Sequence, residues 1–140
     1  RWVAKRLGLK NWRWSQVTDV GTNVGLGTYY LRHMLDAFDG QPVLASAGYN
    51  AGPTRARVWR PDTAMEGAAF AETIPFTETR LYVKNVMANA TYYAHNFSQQ
   101  LQSLKQRLGT VGPRLGGDGT PESESLDLVM SSDPSASGGR

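Results

Sequence analysis

Apolar residues recur every three or four positions along most of this chain, which is the spacing of one face of an α-helix. The pattern predicts a long helix between Asn23, as its N-cap, and Gly40, just past its end. A second long helix is predicted from a cap at Thr77 to Leu108. The apolar face of the first helix holds Val24, Gly27, Tyr30, Leu31, Met34, Leu35 and Phe38, and that of the second holds Val83, Val86, Ala90, Tyr93, Phe97, Leu101, Leu104 and Leu108.

Proline and glycine mark the ends of two shorter predicted helices that lie between the long ones. Pro42 suits the first turn of a helix that closes at Gly52, because glycine readily adopts the left-handed conformation that follows a helix. Pro53 begins the next helix, and Pro61 stops it. Residues 11–20 are predicted to form an aromatic-rich loop. No alternating apolar and polar run is long enough for a core strand, so the predicted fold class is all-α or nearly so.

The last 32 residues differ in composition from the rest of the chain. In residues 109–140, Gly, Pro and Ser supply 16 of the 32 positions, and the one apolar cluster lies at residues 126–130. Such a segment buries too little apolar surface to offset the conformational entropy that is lost on ordering. The predicted organisation is therefore one folded domain over residues 1–108, followed by a disordered tail over residues 109–140.

Charge is distributed unevenly between these two parts of the chain. Residues 1–108 contain 13 Lys and Arg residues and 7 Asp and Glu residues, a net charge of +6, whereas residues 109–140 contain 2 and 5, a net charge of −3. A basic folded part suits an acidic partner, which is either a nucleic acid or a polymer that bears carboxylates. Charge alone does not choose between these two partners.

Several kinds of chemistry lack the residues that they need. The chain has no cysteine, which excludes disulfides and thiolate chemistry. His33 and His95 stand far apart, so no metal site is predicted. Gly21, Gly25 and Gly27 enter a helix without a preceding strand, so no phosphate-binding loop is predicted. No apolar run is long enough to span a membrane.

Three segments combine polar, glycine and aromatic residues in a distinctive order. They hold Asn23, Gly27, Tyr30 and Leu31; then Tyr49, Asn50, Ala51 and Gly52; and then Glu72, Ile74, Pro75, Phe76, Glu78, Thr79, Arg80, Tyr82 and Val83. Each segment alone has a structural explanation, as a helix cap, a helix end or a buried turn. Together, over residues 1–97, they resemble the soluble lytic transglycosylases and their goose-type-lysozyme-like catalytic domain. The sequence departs from the second motif at Gly48, where the family has alanine, and this glycine costs about 1 kcal/mol of helix propensity.

The resemblance implies the C-terminal part of an all-α, lysozyme-like transglycosylase domain. It also implies an enzyme that cleaves peptidoglycan between N-acetylmuramic acid and N-acetylglucosamine without adding water. In the family, one glutamic acid protonates the glycosidic oxygen and then takes the proton from the muramoyl C6 hydroxyl, which attacks C1 to give a 1,6-anhydro product. The family's Glu-Ser and Gly-Leu-Met-Gln motifs precede the matched part. This general acid is therefore expected upstream of Arg1, and the chain alone is expected to be inactive.

The resemblance also implies roles for four residues of this chain. Tyr49 is expected to orient the catalytic carboxyl group through its hydroxyl and to contact the substrate. Asn50 and Glu72 are expected to contact the glycan, and Tyr82 is expected to line the same groove. The structural alternatives are a core tyrosine at position 49, a residue that holds the helix end at position 50, an ordinary surface glutamate at position 72, and packing against the Pro75 turn at position 82. Neither a cofactor nor a metal ion is implied.

Peptidoglycan glycan strands are the partner that the resemblance implies, with other cell-wall enzymes as further candidates. Arg55, Arg57 and Arg60 are candidates to meet lactyl or stem-peptide carboxylates, and their alternative role is a solvated basic face. The expected location, the periplasm or cell envelope, follows only from this substrate. The alternative functions are a muramidase-type hydrolase on the same fold and a non-catalytic module that binds wall glycan or scaffolds other wall enzymes. Nucleic-acid binding is disfavoured because the basic helices lack interleaved aromatic residues.

Overall fold

The computed structural model describes residues 2–98 and 101–113, and helices dominate this part of the chain. The elements are α1 (Trp2–Arg6), a 3-10 helix (Trp14–Thr18), α2 (Val20–Ala37), α3 (Pro42–Ala51), α4 (Pro53–Trp59), β1 (Met65–Glu66), α5 (Gly67–Thr73), α6 (Thr77–Phe97), α7 (Leu104–Leu108) and β2 (Thr110–Val111). Each strand holds only two residues, so the structure confirms the prediction of an almost entirely helical fold. None of the helices in the described ranges is both long and apolar enough to cross a membrane.

The predictions for α3 and α4 are confirmed. Pro42 is the first residue of α3, and Gly52, at a φ of 93°, ends it. Only glycine takes this backbone conformation without strain, so the chain can turn sharply here and start again. Pro53 is the first residue of α4, which ends at Trp59, just before Pro61. Local chain geometry therefore sets both ends of these two helices.

The start of α2 lies earlier than the apolar pattern predicted. The Asp19 carboxylate accepts the Thr22 backbone N–H at 2.8 Å, and hydrogen bonds from Thr22 hold the pKa of Asp19 below its ordinary value. Asn23 lies inside the first turn, where its side chain donates to the Val17 carbonyl at 3.0 Å. The prediction of Asn23 as N-cap is therefore wrong, because Asp19 already satisfies the free amides at the helix start.

The last predicted helix is divided into α6 and α7. α6 ends at Phe97, and Ser98 is already extended. α7 starts from a new capping box between Ser103 and Gln106. Phe97 is 82 % exposed and Leu101 is 75 % exposed. These two apolar residues, on either side of the break, are therefore not part of a buried helix face. The prediction of one continuous helix to Leu108 is wrong, because α6 ends before an extended Ser98 and α7 starts from its own cap.

Helix α3 lies at the centre of the core and contacts α2, α4 and α6. All six residues from Val43 to Gly48 are buried. A Cβ on Gly48 would lie 2.6 Å from Cε2 of Phe38, a distance that real Cβ atoms do not reach. The glycine that departs from the family motif therefore lets Phe38 pack against α3. The largest fully buried side chains are Phe38, Phe70, Met34, Leu44, Ile74, Val43, Val83 and Val111.

The segment after α7 closes the folded part of the chain. Strand β2 pairs antiparallel with β1, and its Val111 is almost fully buried. The buried Arg60 donates from Nε to the Gly112 carbonyl at 3.0 Å and from Nη2 to the Asp39 carboxylate at 2.7 Å. The folded part therefore extends a few residues past the predicted domain boundary. Residues 114–140, which hold most of the predicted tail, lie outside the described residues.

Candidate functional site

Three tyrosines, one from each sequence motif, meet in a cluster. Tyr30 lies on α2, Tyr49 on α3 and Tyr82 on α6. The ring centroids of Tyr30 and Tyr49 are 5.3 Å apart with an angle of 51° between the planes. Those of Tyr49 and Tyr82 are 6.4 Å apart and nearly parallel, at 3°. Tyr49 is thus the middle member of this tyrosine cluster, and the fold brings two of the predicted site residues, Tyr49 and Tyr82, together.

The hydroxyl of Tyr49 lies against the backbone of α2. A Cβ added at Gly27 would stand 3.1 Å from Tyr49 Oη, closer than ordinary van der Waals contact. Tyr49 is half-buried, and its hydroxyl forms no hydrogen bond within residues 2–98 and 101–113. The hydroxyl is therefore held in place by packing and has its hydrogen-bonding capacity available for another partner.

Tyr82 forms a wall beside Tyr49. Burial raises the pKa of the Tyr82 hydroxyl, and the neighbouring Tyr49 adds to the rise. A raised pKa keeps the phenol neutral at every physiological pH, because even an ordinary tyrosine ionises only near pH 10. The two stacked rings therefore offer an uncharged, largely apolar surface with hydroxyl groups at its edge.

Asn50 lies in the last turn of α3, next to Tyr49 along the chain. The helix end is closed by a main-chain hydrogen bond from Gly52 N–H to the Gly48 carbonyl at 3.0 Å. The Asn50 side chain is exposed, and its amide has no hydrogen-bond partner among the residues that the structure describes. The side chain is thus not used to hold the helix end, and its amide can donate to and accept from a ligand.

Glu72 lies on α5 and is paired with a lysine of α6. Glu72 Oε1 is 2.6 Å from Lys84 Nζ. The Lys84 hydrogen bond and charge, with a weaker contribution from Arg80, hold the pKa of Glu72 below its ordinary value. The ion pair therefore links α5 to α6, and Lys84 lies two positions after Tyr82 along α6.

The two arginines of α4, Arg55 and Arg57, and Arg60, which follows the helix, have different surroundings. Arg60 is buried and committed to the contacts that close the fold. The Arg57 guanidinium is partly buried, 5.4 Å from the centroid of the Phe38 ring. The Arg55 guanidinium lies 5.3 Å from the centroid of the Phe76 ring, and Arg55 is exposed. Of these three arginines, Arg55 is the one most accessible to a ligand.

All carboxylates of the described residues are exposed. They are Asp19, Asp36, Asp39, Asp62, Glu66, Glu72 and Glu78. Four of them form ion pairs, which join Asp36 to Arg32, Asp39 to Arg60, Glu66 to Lys105 and Glu72 to Lys84. Solvent and neighbouring cations both favour the charged form of a carboxylate. Across the same described ranges, no three His, Cys, Asp or Glu side chains gather as metal ligands.

Two family models match this chain. The transglycosylase SLT domain matches residues 1–69, and the soluble lytic transglycosylase helical domain matches residues 73–101. Over these two ranges, this chain belongs to the soluble lytic transglycosylase family. The membership confirms the resemblance that the three sequence motifs indicated.

Curated relatives of this soluble lytic transglycosylase chain carry the same family name. The soluble lytic murein transglycosylase of Salmonella typhimurium is 45% identical over 87 residues, which are 61% of this chain and 14% of the relative. That of Escherichia coli is 45% identical over 82 residues, 57% of this chain and 13% of the relative. The chain therefore spans only about one seventh of the length of the relatives that it matches.

Two solved structures share the fold of this soluble lytic transglycosylase chain. One is the lytic transglycosylase Slt of Pseudomonas aeruginosa, solved as an inactive mutant with glutamine in place of a glutamate. Its TM-score is 0.66 at 37% identity, and the match covers 75% of this chain and 18% of that one. The other is the 70 kDa soluble lytic transglycosylase of Escherichia coli, with a TM-score of 0.64 at 34% identity and coverage of 81% and 18%.

Two contacts in this soluble lytic transglycosylase chain had no signal in the sequence. Glu72 and Lys84 are 12 positions apart and on different helices, so no local spacing rule pairs them. The close approach of Gly27 to the Tyr49 hydroxyl depends on how α2 crosses α3. Both contacts follow from the packing of helices rather than from any motif.

Proposed function

We propose that the protein containing this chain is a peptidoglycan lytic transglycosylase. It cleaves the β-1,4 bond between N-acetylmuramic acid and N-acetylglucosamine without water and leaves a 1,6-anhydro end. The names of the relatives support this function. The observation that carries it is the Tyr49 hydroxyl, which lies at the centre of the tyrosine cluster, packs against Gly27 and makes no hydrogen bond within the described residues.

The reaction needs one acid that serves twice. Its protonated carboxyl group gives the proton to the glycosidic oxygen as the bond between that oxygen and C1 breaks. The resulting carboxylate then accepts the proton of the muramoyl C6 hydroxyl, and the C6 oxygen bonds to C1. The seven exposed carboxylates described above do not fit this role, because an acid that is protonated near neutral pH requires an apolar site. We therefore assign the role to a glutamate upstream of Arg1. The inactive Glu-to-Gln mutant of the Pseudomonas aeruginosa relative supports a glutamate as the essential group, although not its position.

Tyr49 positions this acid in the proposed mechanism. Its hydroxyl donates a hydrogen bond to the carboxylate oxygen that does not handle the proton, so the other oxygen stays aimed at the reacting bond. Gly27 leaves the hydroxyl room at this position. The adjacent ring of Tyr82 covers one side of Tyr49 and excludes water there. Exclusion of water strengthens the hydrogen bond to the carboxylate and keeps water from competing with the C6 hydroxyl.

Asn50, Glu72 and Tyr82 are proposed to bind the glycan. The Asn50 amide is exposed and has no partner among the described residues, so it is available to a sugar hydroxyl or acetamido group. The Glu72 carboxylate accepts from Lys84 on one oxygen and retains acceptor capacity for sugar hydroxyls. Peptidoglycan is the proposed partner, with other cell-wall enzymes as further partners, and the periplasm or cell envelope is the proposed location.

The test is the product that the full-length protein releases from purified peptidoglycan sacculi. Mass spectrometry distinguishes 1,6-anhydromuropeptides, which are lighter by one water, from muropeptides with a reducing end. Anhydro products are the expected result. Reducing-end products would instead establish a muramidase-type hydrolase on the same fold. Tight binding of sacculi without cleavage would establish a non-catalytic wall-binding module.

A further inference from the structure

We infer that Arg55 and Phe76 form a binding site for a carboxylate of the peptidoglycan strand. The inference rests on the proposed function, in which peptidoglycan is the substrate. It adds a site that would select strands by the carboxylates that they carry. Peptidoglycan offers this chemistry from two sources. Stem peptides carry carboxylates along the intact strand, and the lactyl group carries one wherever the stem has been removed.

The Arg55 guanidinium is held in place by two contacts. Nη1 donates to the Ala51 carbonyl at 3.1 Å, and the guanidinium carbon lies 5.3 Å from the centroid of the Phe76 ring. The Phe76 ring is itself fixed edge-on by Trp59, with ring centroids 5.2 Å apart. A guanidinium that is oriented in advance loses less side-chain entropy when it binds a carboxylate.

The charge of Arg55 is not neutralised within the described part of the chain. Its neighbour Arg60 pairs with Asp39, and Lys84 pairs with Glu72. No carboxylate of residues 2–98 or 101–113 forms an ion pair with Arg55. A guanidinium has five N–H donors, and the Ala51 carbonyl uses one of them. The others suffice for a bidentate contact with a carboxylate.

The location of Arg55 connects it to the proposed glycan site. The carbonyl that it contacts belongs to Ala51, which directly follows Asn50 and Tyr49 along α3. Asn50 and Arg55 are both exposed, so a strand that contacts the Asn50 amide passes the end of α3 where the guanidinium is held. Phe76 is 46% exposed and offers an apolar ring face beside the cation, which suits the methyl groups of lactyl and alanyl units.

The experiment measures the dissociation constant of the full-length protein for three ligands. They are strands with intact stems, the same strands after chemical amidation of their carboxylates, and strands stripped of stems by an amidase, which frees the lactyl carboxylate. The variants are Arg55→Gln, Arg55→Lys and, as a matched control, Arg32→Gln. Arg32 is also an exposed helical arginine, and it forms an ion pair with Asp36 on α2.

Arg55→Gln should weaken binding of a carboxylate-bearing strand about tenfold or more, because losing one charge-assisted hydrogen bond lowers affinity by about that factor. Its binding of amidated strands should equal that of the wild type, because the variant and the amidation remove the same contact. Arg55→Lys should give an intermediate loss, since lysine keeps the charge but not the planar fork. The loss should shrink as salt is added, and Arg32→Gln should bind all three ligands normally.

The three ligands also identify the source of the carboxylate. A loss restricted to strands with intact stems assigns the site to stem peptides, and a loss restricted to stripped strands assigns it to the lactyl group. An equal loss for all three ligands, amidated strands included, would overturn the inference and leave Arg55 as a structural residue. No loss for any ligand would also overturn it. The nature of the cleavage product is measured separately, so failure of the proposed chemistry is distinguishable from failure of this site.

Discussion

Gly27 on α2 packs against the hydroxyl of Tyr49 on α3, since a Cβ at position 27 would lie 3.1 Å from Tyr49 Oη. Gly27→Ala should therefore displace the hydroxyl by a few tenths of an ångström and lower the rate of anhydromuropeptide release about tenfold, because catalytic geometry tolerates little displacement. The matched control is Gly25→Ala on the same helix, where an added Cβ meets nothing within 4 Å. The control should keep full activity and stabilise the helix by about 0.5–1 kcal/mol. Equal activity of the two variants would contradict the prediction.

Tyr49→Phe should lower turnover and leave glycan affinity almost unchanged. The substitution removes one hydrogen bond to a reacting carboxylate, worth about 1.5–3 kcal/mol, but almost no contact area. A ten- to hundredfold drop in kcat with an unaltered KM is expected, measured on purified glycan strands with the full-length protein. Tyr92→Phe is the matched control, because Tyr92 is 65% exposed and lies outside the tyrosine cluster. Unchanged turnover of Tyr49→Phe would show that the Tyr49 hydroxyl does not orient the catalytic carboxyl group.

Glu72→Gln should weaken glycan binding but should not shift the acidic limb of the curve of cleavage rate against pH. Lys84 holds the pKa of Glu72 below its ordinary value, so we expect the carboxylate to be charged near neutral pH, where the catalytic acid must be protonated. Any stability from this pair is present above the unfolded-state pKa of glutamate and is lost as the pH falls through the lower folded-state pKa. Rates measured across the pH range check the prediction, and a displaced acidic limb would identify Glu72 as the acid.

Lys84→Gln is the control that separates the two roles of Glu72. It breaks the same ion pair but leaves the Glu72 carboxylate in place. If Glu72 contacts the glycan directly, Lys84→Gln should retain most of the affinity that Glu72→Gln loses. Equal losses in the two variants would instead mean that the ion pair acts by holding α5 against α6.

Gly48→Ala should destabilise the protein although alanine is the better helix former. The added Cβ would stand 2.6 Å from Cε2 of the fully buried Phe38 and 3.3 Å from the Met34 sulfur. Overpacking of this kind costs about 1–3 kcal/mol, which outweighs a gain in helix propensity of about 1 kcal/mol. Urea unfolding should show the loss, and Phe38→Leu should be less harmful in the Gly48→Ala background than in the wild type. Additive effects would exclude this contact as the cause.

The chain of 140 residues should release no anhydro product from sacculi by itself, whereas the full-length protein should release it. The carboxylates of the described part are exposed, and four of them are paired with cations. A missing general acid typically lowers the rate by about 10²–10⁴-fold. Circular dichroism of the chain is the control, since it distinguishes an inactive folded domain from an unfolded one. Anhydro product from the chain alone would place the acid within it.

Features that depend on neighbouring residues were predictable from the sequence. Proline and glycine at 42, 52 and 53 set the ends of α3 and α4, because their backbone restrictions hold in any surroundings. The three motifs predicted the family, and two of the expected site residues, Tyr49 and Tyr82, are stacked in the structure. Apolar periodicity also identified α2 and α6, although it misplaced the start of the first and the end of the second.

Features that depend on distant residues were decided by the tertiary structure. The apolar spacing continues from α6 into α7, but the structure separates them, because Ser98 is extended and a new capping box starts α7. Gly48 looked like a weak point in a helix until the packing of Phe38 gave it a reason. The pairing of Glu72 with Lys84 and the burial of Arg60 joined residues from separate elements. Sequence spacing carries no information on such contacts, because they exist only once the helices have packed against one another.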